Sequence, residues 1–134
     1  IRLFNMYSND DNFSIISKII NSIKNDTYLN LFNKGEGIRD FIHIDDGVNI
    51  YRLILESNFN GTLNIASGTG VSIKKIINVA EESSNRKLKI INNSISDAKI
   101  CTGSTKLLYK EFKVNNFINV LDFIKNETKK WKFF

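Results

Sequence analysis

Apolar positions along the chain switch repeatedly between two spacings, one of every second residue and one of every third to fourth. Residues 1–7, IRLFNMY, form a short apolar run that predicts a strand. SNDDN then breaks the run with residues that favour helix caps. Phe13, Ile16, Ile20 and Ile23 follow at helical spacing and predict an amphipathic helix over 12–25. TYLNLF at 27–32 alternates and carries aromatics, so it predicts a second strand, and NKGEG reads as a turn whose glycines can take positive φ. Residues 38–44 predict a strand. Asp45 or Asp46 then caps a helix running to about Ser57, with Val48, Tyr51 and Leu55 on one face.

Beyond an NFNG turn, TLNIA at 62–66 predicts another strand and SGTG a loop. Ser72 is placed to cap a helix carrying Ile73, Ile76, Ile77 and Ala80. KLKII at 87–91 reads as a strand, 92–103 as irregular and polar, and 104–111 as a short helix. Phe117, Val120, Leu121, Ile124, Thr128 and Trp131 make a last helical stripe, read as core packing. Strands alternating with helices define the class as α/β, a small mixed lobe of short strands and helices.

The 134 residues suffice for one domain, 1–134, with a core that needs no disulfide. No apolar run approaches the length of a membrane span, and no signal peptide is visible. The chain starts at Ile1 and its only methionine is Met6, inside an apolar run, so it is read as part of a longer polypeptide. Cys101 is the only cysteine; it suits a reducing cytoplasm and is expected to be a buried or semi-exposed structural residue. The net charge of +5 comes from lysine, which is over-used together with asparagine and isoleucine. No nucleic-acid-binding motif accompanies it, so neither a nucleic-acid nor a membrane partner is expected.

The stretch GIRDFIHIDD, residues 37–46, holds the densest chemistry. Strand alternation puts Arg39, Phe41 and His43 on one face and Asp40, Ile42 and Ile44 on the other. Asp45 and Asp46 fall at a helix start, where carboxylates meet free N–H groups. That scatter argues against a metal site, which needs three or four convergent ligands, and leaves His43 as a hydrogen-bonded structural residue. Arg39, at the mouth of a strand, either grips phosphate oxygens with its planar fork or forms an ion pair with Asp40 or another carboxylate. Gly68-x-Gly70 precedes a helix, but Ile73 stands where a dinucleotide fingerprint has its third glycine, so a tight turn feeding the Ser72 cap is the better reading.

In order, RLFNMY, GIRDFIHIDD, GTLNIASGTGVSI, STKLL and a closing helix with Trp131 resemble the C-terminal, substrate-binding portion of the NAD-dependent epimerase/dehydratase family. These are extended short-chain dehydrogenases acting on nucleotide sugars in carbohydrate biosynthesis. The resemblance implies a lobe that follows a Rossmann NAD-binding domain and adds its last strand. It implies Asn5 near the nucleotide sugar, Leu3 and Met6 near the nicotinamide, and Arg39 on the substrate pyrophosphate. Asp40 and Asp46 correspond to structural positions. The family's Gly-rich NAD loop and catalytic Tyr-x-x-x-Lys belong upstream, so no catalytic residue and no bound NAD are expected here, and the chain alone is expected to be inactive.

Two departures stand out. Ser8-Asn9 replaces the Gly-Pro usual after Asn-x-Tyr, and NSISDAKI keeps Asp97 but lacks the second phosphate-binding arginine, leaving Lys99 as a substitute charge. The expected function is to position a nucleotide-sugar pyrophosphate for NAD-dependent hydride chemistry in an epimerase or dehydratase. The alternative is a non-catalytic α/β binding or interaction module that has kept the fold alone. Self-association is expected through the apolar first strand, if its sheet partners lie outside the chain.

Overall fold

The first apolar run splits at Phe4 and serves two sheets. In the structure, a computed structural model describing residues 1–9, 11–94 and 98–132, strand β1 is Arg2–Leu3 and β2 is Asn5–Tyr7. The Phe4 amide donates to Ile65 O at 3.0 Å, and the chain then turns toward a different partner. β1 runs parallel to β5, Asn64–Ile65, and β2 runs parallel to β4, Ile38–His43, with Asn5 opposite Phe41. The first strand therefore has a parallel partner within the chain on one edge of each half, β5 for β1 and β4 for β2.

β4 is the hub. It also pairs antiparallel with β6, Gly70–Ser72, and parallel with β8, Ile100–Cys101. Both small strands fall where loop or irregular chain was expected, because their hydrogen-bonding partner is distant in sequence. β3, Tyr28–Phe32, pairs parallel with β7, Lys89–Asn93, in a separate two-stranded sheet. β7 lies two residues later than the apolar run suggested, and TLNIA contributes only its two β5 residues.

Helix α1 is Ile15–Asn25, opened by Ser14, whose hydroxyl accepts from the Ser17 amide at 3.1 Å. Asp11 accepts from the Phe13 and Ser14 amides at 2.9 and 2.6 Å. That cap holds Phe13 outside the helix and 88% exposed, correcting its place on the apolar stripe. Helix α3, Ile73–Ser84, begins at Ser72, whose hydroxyl accepts from the Lys75 amide, as its sequence indicated. Helices α4 and α5 are Lys106–Phe112 and Val120–Lys129.

Helix α2, Ile44–Leu55, departs from expectation at both cap and face. His43 Nδ1, not an aspartate, accepts from the Asp45 amide at 3.2 Å and caps the helix. Asp46 instead accepts from the distant Ile118 amide at 2.8 Å. Gly47 and Ile50 form the buried side, while Val48 and Leu55 are 60% and 84% exposed. Gly47 faces Met6 of β2: a Cβ there would stand 2.8 Å from the Met6 methyl, the movable end of a flexible side chain.

Two apolar clusters hold the elements together. Ile16, Ile19, Leu29, Ile76, Ala80 and Ile124 belong to the larger, which joins α1, α3 and α5 to β3. Ile42, Ile50, Leu63, Ile65 and Leu108 form the other, with Phe117 packed against it rather than lengthening the α5 stripe. Each fully buried isoleucine or leucine contributes roughly 1.5–3 kcal/mol by leaving water.

Candidate functional site

Residues on β4 divide their chemistry between its two faces. Asp40 is fully buried, and its carboxylate accepts from the Ser67 amide at 2.8 Å, the Ser67 hydroxyl at 2.7 Å, the Gly68 amide at 2.9 Å and the Gly103 amide at 3.1 Å. An ionised carboxylate is an acceptor at every lone pair, so four donors can satisfy it without a counter-ion. The structural reading of Asp40 is thereby realised through loop amides. The same bonds consume the Ser67 and Gly68 N–H groups that a phosphate loop would need free, in line with the weak fingerprint around Gly68 and Gly70.

Arg39 points the other way, as alternation requires. It is half-buried and lines a cavity of about 960 Å³. Its Nη1 donates to Ile38 O at 2.9 Å, and the guanidinium covers Gly37, where a Cβ would sit 3.2 Å from Nη1. β8 brings Lys99 to the same cavity, because the Ile38 amide donates to Lys99 O at 2.8 Å. Lys18 and Lys34 complete a set of four cations among the described lining residues, against one carboxylate, Glu36. Lys18 and Lys34 were not singled out from sequence; they come from the start of α1 and from the NKGEG turn, which meet only in the fold.

The other expected site residues lie elsewhere. Asn5, Leu3 and Met6 are not among the described residues lining this cavity. Asn5 donates through Nδ2 to Asp40 O at 3.0 Å, on the strand next to β4. Leu3 is 47% exposed, and Met6 is half-buried against the smaller cluster beside Gly47. Asp97 lies outside the described residues. Cys101 is exposed and free, opposite Arg39 in the strand register, which corrects the expectation of a buried or semi-exposed thiol.

His43 is buried among Tyr7 and Phe123, with ring centroids at 5.2 and 5.3 Å, and its Nδ1 is engaged in the cap. That is a structural histidine. The neighbouring Tyr7 donates its hydroxyl to Ile118 O at 3.1 Å. Burial pushes its phenol well above the ordinary range, and the Asp46 charge adds to that. No group of three potential metal ligands occurs among the described residues.

One Tyr-x-x-x-Lys spacing does occur in the chain, at Tyr109 and Lys113, although the family's catalytic pair is expected upstream. Here the lysine closes α4 in the left-handed region. Its Nζ stands over the Tyr109 ring at 5.3 Å and donates to Lys110 O. Neither residue is among those described as lining the cavity, and a lysine over the ring face does not hold the phenol oxygen. The spacing here belongs to a helix end.

No helix among the described residues is long and apolar enough to cross a membrane. The NAD dependent epimerase/dehydratase family matches residues 1–66. Among curated proteins, GDP-6-deoxy-D-talose 4-dehydrogenase of Aggregatibacter actinomycetemcomitans is 32% identical over 98 residues, 71% of this chain and 33% of that protein. dTDP-4-dehydro-6-deoxyglucose reductase of Escherichia coli is 30% identical over 95 residues, 67% of this chain and 30% of that protein. The chain thus spans about a third of the length of these relatives. Among solved structures, UDP-glucuronic acid 4-epimerase of Bacillus cereus, in complex with UDP-glucuronic acid and NAD, superposes with a TM-score of 0.82. It is 20% identical, over 98% of this chain and 43% of that one. At that identity the likeness is one of fold, and the fold is the α/β arrangement expected from the sequence.

Proposed function

We propose that the chain is the substrate-holding part of a nucleotide-sugar enzyme of the NAD-dependent epimerase/dehydratase kind, and that its cavity receives the diphosphate of the nucleotide sugar. One observation carries this reading. Arg39, on β4, and Lys99, just before β8, line one cavity whose described charged residues are mostly cationic. The family match over residues 1–66, which include Arg39, and the two curated relatives support it. Arginine provides paired donors for phosphate oxygens and lysine a point charge. A half-buried guanidinium folded over Gly37 is already partly ordered, which lowers the entropy cost of gripping a ligand.

The hydride chemistry belongs, in this proposal, to the remainder of a longer protein. NAD supplies the hydride acceptor and donor when bound. Among the described residues, the Gly68 amide is bonded to Asp40 and Met6 packs beside Gly47 of α2. Leu3, exposed beside Asn5, is the position from which this chain would meet the cofactor. Asn5, held by Asp40 O, would stand toward the sugar. The lone cysteine fits a reducing cytoplasm.

The test is calorimetric titration of the chain with UDP, before and after Arg39→Ala. The proposal expects binding that weakens by about 10- to 100-fold in the variant, the scale of a lost charge-assisted pair. Equal affinity in the two proteins would sink the Arg39 assignment.

A further inference from the structure

Five described residues other than glycine have positive φ, and three of them, Asp26, Asn85 and Lys113, simply close helices α1, α3 and α4. The other two are consecutive. Asn33 at 47° and Lys34 at 54° lead into Gly35 at 73°, giving three left-handed residues in a row in the turn after β3. Asparagine tolerates that region and glycine is free in it, but lysine has no side-chain bond that compensates its Cβ crowding. A glycine at 34 would remove the strain. The chain instead carries a lysine there, and that lysine lines the cavity shared by Arg39 and Lys99. The neighbouring packing fixes the turn, since a Cβ on Gly35 would press the Lys74 amide at 3.1 Å and Leu31 at 3.2 Å.

We propose that Lys34 is a ligand-binding residue, held over the cavity by this strained turn to contact the ligand's phosphates beside Arg39 and Lys99. This rests on the proposed diphosphate site and adds a residue to it. The class of ligand is a nucleoside diphosphate or its sugar ester. Lys113 is also left-handed, but it closes a helix; Lys34 closes none and its strain falls on the rim of the cavity, where sparsely populated backbone is tied to ligand contact.

The consequence is a pair of effects of opposite sign in one variant. Lys34→Gly relieves the left-handed strain, partly offset by the freedom glycine gains in the unfolded chain, and is expected to melt about 1–4 °C higher. The same variant is expected to bind UDP and inorganic pyrophosphate about 3- to 10-fold more weakly at low salt, with the gap narrowing as salt screens it. Lys34→Arg keeps the charge and is expected to bind within about twofold of the parent, and Lys34→Gln to bind like the glycine variant. Parent-like affinity in Lys34→Gly or Lys34→Gln overturns this inference while leaving the Arg39 site standing. A lower melting temperature for Lys34→Gly overturns it too. Failure of the unmodified chain to bind either probe overturns both the site and the inference.

Discussion

The Gly103 amide donates to the Asp40 carboxylate at 3.1 Å, across 63 positions of sequence. This bond, with those from Ser67 and Gly68, fastens the loop after β5 and the loop after β8 to the middle of β4. Arg39 immediately precedes Asp40 on β4, and Lys99 lies four residues before Gly103. The two cations thus lie beside a junction held together by one buried carboxylate.

Removing that carboxylate leaves several buried donors without an acceptor. Asp40→Ala is expected to destabilise the chain by about 3–5 kcal/mol, and Asp40→Asn by somewhat less, because one carbonyl acceptor remains. Urea unfolding followed by circular dichroism reads the difference. A loss below about 1 kcal/mol for the alanine variant would mean that the loops hold their places without Asp40.

Gly103 is required for a different reason. A Cβ there would stand 2.4 Å from that of Ala66 and 3.0 Å from the Phe4 ring, so the loop would have to withdraw. Gly103→Ala is expected to cost about 2–3 kcal/mol by combining steric conflict with a weakened bond to Asp40. The same unfolding experiment decides it, and a neutral substitution would contradict the packing described.

Acid should loosen the start of α1. Burial tends to raise the pKa of Asp11, but hydrogen bonds from Ser14, Ser17 and Ser8 outweigh it and hold the carboxylate at about 2. The unfolded value is near 3.9. A depressed folded pKa gives stability that is full above the unfolded value and is lost as pH falls through the window from about 4 to 2. After discounting for solvent screening this amounts to about 1–2 kcal/mol. Asp11→Asn should flatten that part of the stability–pH curve, and an unchanged acid limb would contradict the assignment.

Local signals in the sequence were reliable where the partner was also local. Ser72 announces α3 because a cap and its helix are contiguous, and the alternation of β3 is visible because Leu29 and Leu31 share one buried face. The errors arose where something other than periodicity decided. Phe13 matches the α1 period, yet Asp11, two residues earlier, draws its amide into a cap. Val48 and Leu55 mark an apolar stripe on α2, but the face packed inward is the neighbouring one of Gly47 and Ile50. Arg39 was legible as a phosphate-binding candidate from its residue type and strand position. Lys34 was not, since left-handed backbone at a lysine cannot be read from the letters NKGEG.

The exposed stripe of Ile44, Val48 and Leu55 along α2 bears on association. This helix face offers a surface for self-association besides the first strand. Sedimentation velocity should show concentration-dependent dimers that Val48→Lys with Leu55→Lys abolishes. A parent chain that stays monomeric at high concentration would contradict this.

The most direct test of the proposed diphosphate site is amide chemical-shift mapping of the chain during titration with UDP. The expected result is saturable shifts centred on Lys34, Gly37, Arg39 and Lys99, the rim of the cavity, and their disappearance in Arg39→Ala. Saturable shifts centred elsewhere, or none at millimolar UDP, would contradict a diphosphate site at Arg39.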